Sequence, residues 1–238
     1  MTNRDTVEPF SADICRNRGY LYTTNASLSS RYANERMTKA TLQWISIRDK
    51  RLIDIGCGDG TFTLELFDRG RPKSVTAIDP SEDAIRIAKE KKGKRPIEFS
   101  PKSAYELPWA DNSFDVACFR GVLHHLERPI DALREAFRLA PSVVSIEPNG
   151  YNPVLKVLER VSRYHIEHEE KSYAPRTLDR WIALLGGVII SRQWVGLVPM
   201  FCPDWLARTL KAIEPTIERL PGVNRVCCAQ YIFVARRV

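Results

Sequence analysis

Residues 52 to 80, LIDIGCGDGTFTLELFDRGRPKSVTAIDP, decide the fold. Leu52 to Ile55 is a short, mostly apolar run, which reads as a buried parallel strand with helices on both faces. Gly56-Cys57-Gly58-Asp59-Gly60 follows as a turn, Thr61 to Arg69 as a helix, and Ser74 to Ile78 as a second strand closed by Asp79. Glycines admit positive φ and lack the Cβ that would hold a ligand away from the main chain, so a small molecule can lie directly on this backbone. A strand, turn, helix, strand unit of this kind binds adenosine-containing ligands. The dinucleotide fingerprint sets its third small residue where Thr61 stands, whereas this chain spells Gly-x-Gly-x-Gly. Asp54 and Asp59 add negative charge beside a helix N-terminus that a diphosphate would need free. The spacing therefore argues against a diphosphate and for a ligand with a cationic end.

Asp54-Ile55-Gly56-Cys57-Gly58-Asp59-Gly60 resembles the first motif of the class I S-adenosylmethionine-dependent methyltransferases. Asp79-Pro80, ending the second strand, is similar to the point where that family places an acid on the ribose hydroxyls. Ser103-Ala104-Tyr105-Glu106-Leu107-Pro108-Trp109 and the following residues to Asp115 resemble the adenine-side loop. The family often carries an acid where Ser103 stands, which leaves the Ala104 backbone or the Ser103 hydroxyl for the adenine amino group. Phe119-Arg120-Gly121-Val122-Leu123-His124-His125-Leu126 resembles the segment lining the methyl-transfer pocket. The likeness covers roughly residues 50 to 150, with four motifs in order. It implies a doubly wound, Rossmann-like α/β fold whose seven-stranded sheet is mostly parallel with an antiparallel last strand. It also implies S-adenosyl-L-methionine as cofactor and S-adenosyl-L-homocysteine as product, with Asp54, Gly56, Cys57, Gly58, Gly60, Asp79, Pro80, Ser103, Ala104 and Phe119 on the cofactor.

Beyond these motifs, apolar runs alternate with helical patterns, as a doubly wound sheet requires: Ser81 to Lys92, Ile97 to Ser100, Phe114 to Phe119, Pro129 to Leu139 and Val143 to Glu147. Ser81 reads as an N-cap with Glu82 and Asp83 in its first turn. Residues 1–28 read as a flexible arm or a loop over the pocket, ahead of a single domain over 29–238. Within that domain an insertion or cap is expected at about 151–174 and a helical segment at about 202–220. Trp205, Leu206, Leu210, Ile213 and Ile217 recur at helical spacing there, fitting core packing first and a membrane-surface or dimer contact second.

The 238 residues carry 36 Lys and Arg against 29 Asp and Glu, a net charge of +7. The densest basic run, Lys89 to Arg95, closes a predicted helix, where cations complement the dipole, and it lacks the interleaved aromatics of a base-stacking platform. Nucleic acid is not the expected partner. Neither a secretory h-region nor the roughly 18 apolar residues of a membrane span occurs, so the chain reads as cytoplasmic with peripheral membrane contact left open. Six cysteines without a C-x-x-C pair indicate neither a disulfide framework nor a zinc knuckle.

Methyl transfer from a sulfonium needs alignment above all, and a base only for acceptors that lose a proton. His124 and His125 stand where such a base would act, as proton acceptors or as packing at the strand end. Tyr151 and Asn152 follow the fifth strand, where they serve either acceptor contact or turn chemistry. His165 and His168 lie three apart among acids; substrate contact and a solvated helix face both fit better than a metal site, and none is expected. The expected function is S-adenosylmethionine-dependent O-, N- or C-methylation of a small-molecule or lipid-linked acceptor. A non-catalytic cofactor-binding module partnering another enzyme is the alternative, and an adenine-dinucleotide oxidoreductase a poorer third reading.

Overall fold

The computed structural model describes residues 14, 19–162, 166 and 171–238. Seven strands form one sheet: β1 Arg51–Ile55, β2 Ser74–Asp79, β3 Ile97–Pro101, β4 Val116–Arg120, β5 Ser142–Pro148, β6 Gly187–Val195 and β7 Gln230–Arg237. Their order is β3-β2-β1-β4-β5-β7-β6. Pairs among β1 to β5 are parallel, and β7 inserts antiparallel between β5 and β6. The expected fold class is the one found.

The main helices are α1 Leu21–Thr24, α2 Leu28–Trp44, α3 Thr61–Gly70, α4 Glu82–Lys91, α5 Pro129–Leu139, α6 Pro153–Val161, α7 Pro175–Leu184, α8 Asp204–Arg219 and α9 Val223–Cys227. Alternation along each strand splits the core in two. Ile53, Ile55, Phe119 and Phe233 pack with Leu133 and Phe137 of α5 and Leu178 and Ile182 of α7. Leu52, Cys118, Val144 and Ile232 pack on the other face with Met37 of α2, Leu66 of α3 and Ile85 of α4. Burying the strands on both faces is why they read as short apolar runs rather than alternating ones.

Strand order reverses between β1 and β4, which opens a crevice at the carboxyl ends of those two strands. Ser81 caps α4 as expected, its Oγ accepting from the Ala84 N–H at 3.2 Å. Helix α8 is less apolar inside than its spacing promised. The α8 residues buried against the body are Ala207, Glu214 and Glu218, while Trp205 is 69% exposed and Ile213 also faces out. Arg36 of α2 makes the difference: its Nε and Nη2 donate to Glu218 at 2.8 and 2.6 Å, and the Gly196 N–H donates to the same carboxylate at 2.9 Å. Glu214 accepts from the Leu197 N–H at 3.0 Å and from Lys211.

Candidate functional site

The glycine turn leaves β1 with Gly56, Gly58 and Gly60 all at positive φ, of 79°, 55° and 76°. Gly56 and Cys57 donate their N–H groups to Ile78 O at 2.8 and 2.9 Å, which locks the turn onto β2. Asp79 then ties both halves of the crevice together. Its Oδ2 accepts from the Gly58 N–H at 2.9 Å and its Oδ1 from the Ser81 N–H at 3.0 Å. Burial pushes the Asp79 carboxyl up to about 6, against the two backbone donors and helped by the charges of Asp54 and Asp59. Asp54 is likewise raised to about 6 by burial, although the Thr63 hydroxyl donates to its Oδ2 at 2.6 Å and the Arg120 charge works the other way. The Cys57 thiol is pushed well up by burial and by its acidic neighbours, so it is inert at neutral pH.

Residues 19–24 lie over this turn. A Cβ on Gly58 would stand 2.5 Å from the Tyr20 ring, and the Thr23 hydroxyl donates to Asp59 Oδ2 at 2.6 Å. Lys91, from the end of α4, donates to the same oxygen at 2.9 Å. Burial works to raise the Asp59 carboxyl, but the Thr23 hydroxyl and the Lys91 ammonium more than offset it and hold it below its ordinary value. Of the arm expected over 1–28, Tyr20 and Thr23 contact the turn; residues 1–13 and 15–18 lie outside the described residues.

Past β4, a short 3-10 turn at Leu123–His125 carries both histidines. The Glu147 carboxylate at the end of β5 organises it. Glu147 Oε1 accepts from the Val122 and Leu123 N–H groups, both at 3.1 Å, and from the Ser145 hydroxyl at 3.2 Å. Its Oε2 stands 2.7 Å from His124 Nδ1. The His125 ring packs on that of His124 with centroids 3.8 Å apart.

This turn, acid and strand order coincide with the likeness of residues 53–142 to the methyltransferase domain family. An uncharacterized methyltransferase of Schizosaccharomyces pombe is 35% identical over 110 residues, 42% of this chain and 37% of the relative. A demethylmenaquinone methyltransferase of Lactococcus lactis is 32% identical over 124 residues, 49% of this chain and 48% of the relative. The chain thus spans about a third to a half of the length of these curated relatives. An S-adenosylmethionine-dependent methyltransferase of Thermotoga maritima superposes with a TM-score of 0.68 at 16% identity, covering 98% of each chain. The fold is that of the class I methyltransferases.

Of the expected residues, Asp54, Gly56, Cys57, Gly58, Gly60 and Asp79 lie in or against the glycine turn, and the others stand as follows. Ala104 is buried and Ser103 half-buried, its Oγ accepting from the Tyr105 N–H at 3.4 Å; Pro80 is exposed. Phe119, expected on the cofactor, is fully buried among Ile53, Ile55 and Leu123, because its strand position points it into the α5 side of the core. Asn152, expected at the acceptor, is a helix cap. Its Oδ1 accepts from the Val154 and Leu155 N–H groups at 2.9 and 3.2 Å, and its Nδ2 donates to the Cys227 and Cys228 carbonyls at 3.1 and 3.3 Å. Pro153 at the next position was the signal for this, since proline is favoured in a first helical turn. Tyr151 is half-buried, its N–H held by Asn149 Oδ1 at 3.2 Å. His165 and His168 lie outside the described residues. No metal-binding cluster occurs among the described residues. Glu147, Tyr20, Thr23 and Lys91 escaped the sequence reading, because nothing local in their segments announces partners far along the chain.

Proposed function

We propose that this protein is a cytoplasmic S-adenosylmethionine-dependent methyltransferase acting on a small-molecule or lipid-linked acceptor that gives up a proton. The observation that carries this reading is the turn of positive-φ glycines joined through the Gly58 N–H to the buried Asp79 carboxylate. Each Asp79 oxygen accepts one backbone donor and retains a lone pair, which suits two vicinal ribose hydroxyls. A Cβ at Gly56 would strike Val122 and one at Gly58 the Tyr20 ring, so the turn admits only glycine there, and the buried acids beside it suit a cationic ligand. S-adenosylmethionine supplies, when bound, a methyl group activated by a sulfonium.

His124 serves as proton acceptor. Because Glu147 already accepts from the Val122, Leu123 and His124 N–H groups, its contact with the His124 ring is completed by an Nδ1–H donor, which leaves the lone pair on Nε2. Glu147 thus fixes both the tautomer and the ring plane. The exposed valines of α6, Val154, Val157 and Val161, follow the end of β5 and support an acceptor with an apolar part, as does the demethylmenaquinone methyltransferase relative.

Calorimetric titration with S-adenosylmethionine, S-adenosylhomocysteine and NAD tests the reading. Micromolar binding of the sulfur nucleosides without NAD binding is expected, with Asp79→Ala weakening it at least tenfold. Absence of binding in folded, ligand-free protein, or unchanged affinity of the variant, overturns it.

A further inference from the structure

Helix α6 is built inside out. Its apolar residues Val154, Val157, Leu158 and Val161 recur at the i, i+3, i+4, i+7 spacing of the face that an amphipathic helix buries. Here that face looks away from the body: Val154, Val157 and Val161 are 62, 58 and 68% exposed, and no residue of α6 other than its cap is buried. The polar residues are the ones turned inward. Lys156 Nζ donates to the Ser172 carbonyl at 2.7 Å, and Glu159 Oε1 accepts from the Ser172 N–H at 2.9 Å and from its hydroxyl. Lys156 and Glu159 also pair with each other at 3.0 Å. Charges and hydrogen bonds thus fix the helix to the body and leave its apolar stripe outside.

The apolar surface continues onto α9. Asn152, the cap of α6, donates to the Cys227 and Cys228 carbonyls, which sets the first turn of α6 against the end of α9. There Val223 and Val226, three apart, are exposed as well. Contiguous exposed apolar surface marks an interaction site, and the charges around it restrict the partner. Over residues 152–161 and 219–227 the one acid is Glu159, which is engaged by Ser172 and Lys156, whereas the exposed charges, Arg160, Arg219 and Arg225, are all cations. A second copy of the same face would bring arginines against arginines. An anionic bilayer instead takes the valines into its acyl boundary and the guanidinium groups onto its phosphates.

We propose that α6 and α9 form a docking face for an anionic membrane surface. The inference deepens the reading of a lipid-linked acceptor given above. Asn152 closes the turn that leaves β5, and Glu147, which holds His124, lies at the end of that same strand, so docking on this face brings the rim of the crevice to the lipid. A lipid-linked acceptor then reaches the site without crossing water.

Co-sedimentation of the protein with vesicles tests this, using phosphatidylcholine alone and equal parts of phosphatidylcholine and phosphatidylglycerol. The protein should bind the anionic vesicles at least roughly tenfold more tightly than the neutral ones, a difference that shrinks as salt is added. The double variant Val157→Asp with Val161→Asp should lose at least roughly tenfold in affinity for the anionic vesicles. Arg160→Gln should lose roughly threefold to fivefold, and carries the test if the double variant fails to fold. Leu184→Asp sets the same charge on an equally exposed residue at the end of α7, near the Gly186 and Val238 contact at the opposite end of the sheet, and should change vesicle binding by less than about twofold. Equal binding to both vesicles, binding to neither, or anionic-vesicle binding undiminished in the folded valine variant overturns the proposal. So does a lipid-free dimer, seen by analytical ultracentrifugation, that the valine variant dissolves, because the face then belongs to a second copy. Titration with S-adenosylhomocysteine separates the two readings: wild-type protein that binds the nucleoside but no vesicle loses only this inference, and protein that binds anionic vesicles but no nucleoside loses only the cofactor reading.

Discussion

Asp54 and Asp79 at the carboxyl ends of β1 and β2 are buried, and so are Glu214 and Glu218 on α8, yet the two pairs are compensated differently. Glu218 meets Arg36 through two short bonds and holds a backbone N–H besides. Glu214 has a lysine and a backbone donor of its own. By contrast Asp54 has one hydroxyl donor and Asp79 two backbone amides, with no cation in ion-pair contact with either among the described residues. Burial accordingly lifts both aspartates to about 6. Complete compensation marks a structural joint. Incomplete compensation marks a place where the fold bears a cost that a ligand can relieve.

Breaking the structural joint should have the largest effect. Glu218→Ala leaves Arg36, whose side chain is mostly shielded, without its partner and should destabilise the protein by about 3 kcal/mol, read as a lowered urea midpoint. A loss below 1 kcal/mol would erase the contrast between the two sites. Removing a crevice acid should do the opposite. Asp54 has a folded pKa of about 6 against an ordinary 3.8, so the stability it lends is present below the lower value and lost as pH rises through the upper one. At pH 7.5 Asp54→Asn should therefore raise the melting temperature of the ligand-free protein, by a stability gain on the order of 2–3 kcal/mol. That gain should vanish near pH 4, and a pH-independent difference would show that the charge is not its source.

Gly58→Ala sharpens the comparison from the backbone side. It forces an alanine to a φ of 55° with its Cβ against Tyr20, and should cost about 1–2 kcal/mol in thermal unfolding together with most of the S-adenosylhomocysteine affinity. Adding Tyr20→Ala should recover part of the stability, leaving the backbone strain. The smallest effect is expected at the solvent face of α8: Trp205→Ala should change stability by less than about 0.5 kcal/mol, since the ring is 69% exposed. A larger loss on dilution of the protein would reveal a partner on that face.

Much of the crevice was legible because its chemistry is local. Glycines that must take positive φ, an acid closing the next strand and a serine capping the next helix all sit within thirty residues of one another. The alternation of apolar runs gave the strands for the same reason. Asn152, read as either acceptor contact or turn chemistry, caps α6; turn-forming residues and helix caps draw on the same side chains, and only Pro153 marked the helix. Trp205 and Ile213 were placed inward by spacing alone, whereas α8 turns its glutamates inward to meet α2.

The sequence by itself therefore determined the succession of strands and helices along the chain, the glycine turn and the position of Asp79 at the end of the second strand, since these follow from backbone conformation and burial over short stretches. Only the tertiary structure decided which charges are answered. Arg36 and Glu218 stand 182 residues apart, His124 and Glu147 lie 23 apart on different elements, and Arg120 reaches α2 across 82 residues. An ionised group's free energy depends on what surrounds it in space, and a one-dimensional pattern does not carry that distance.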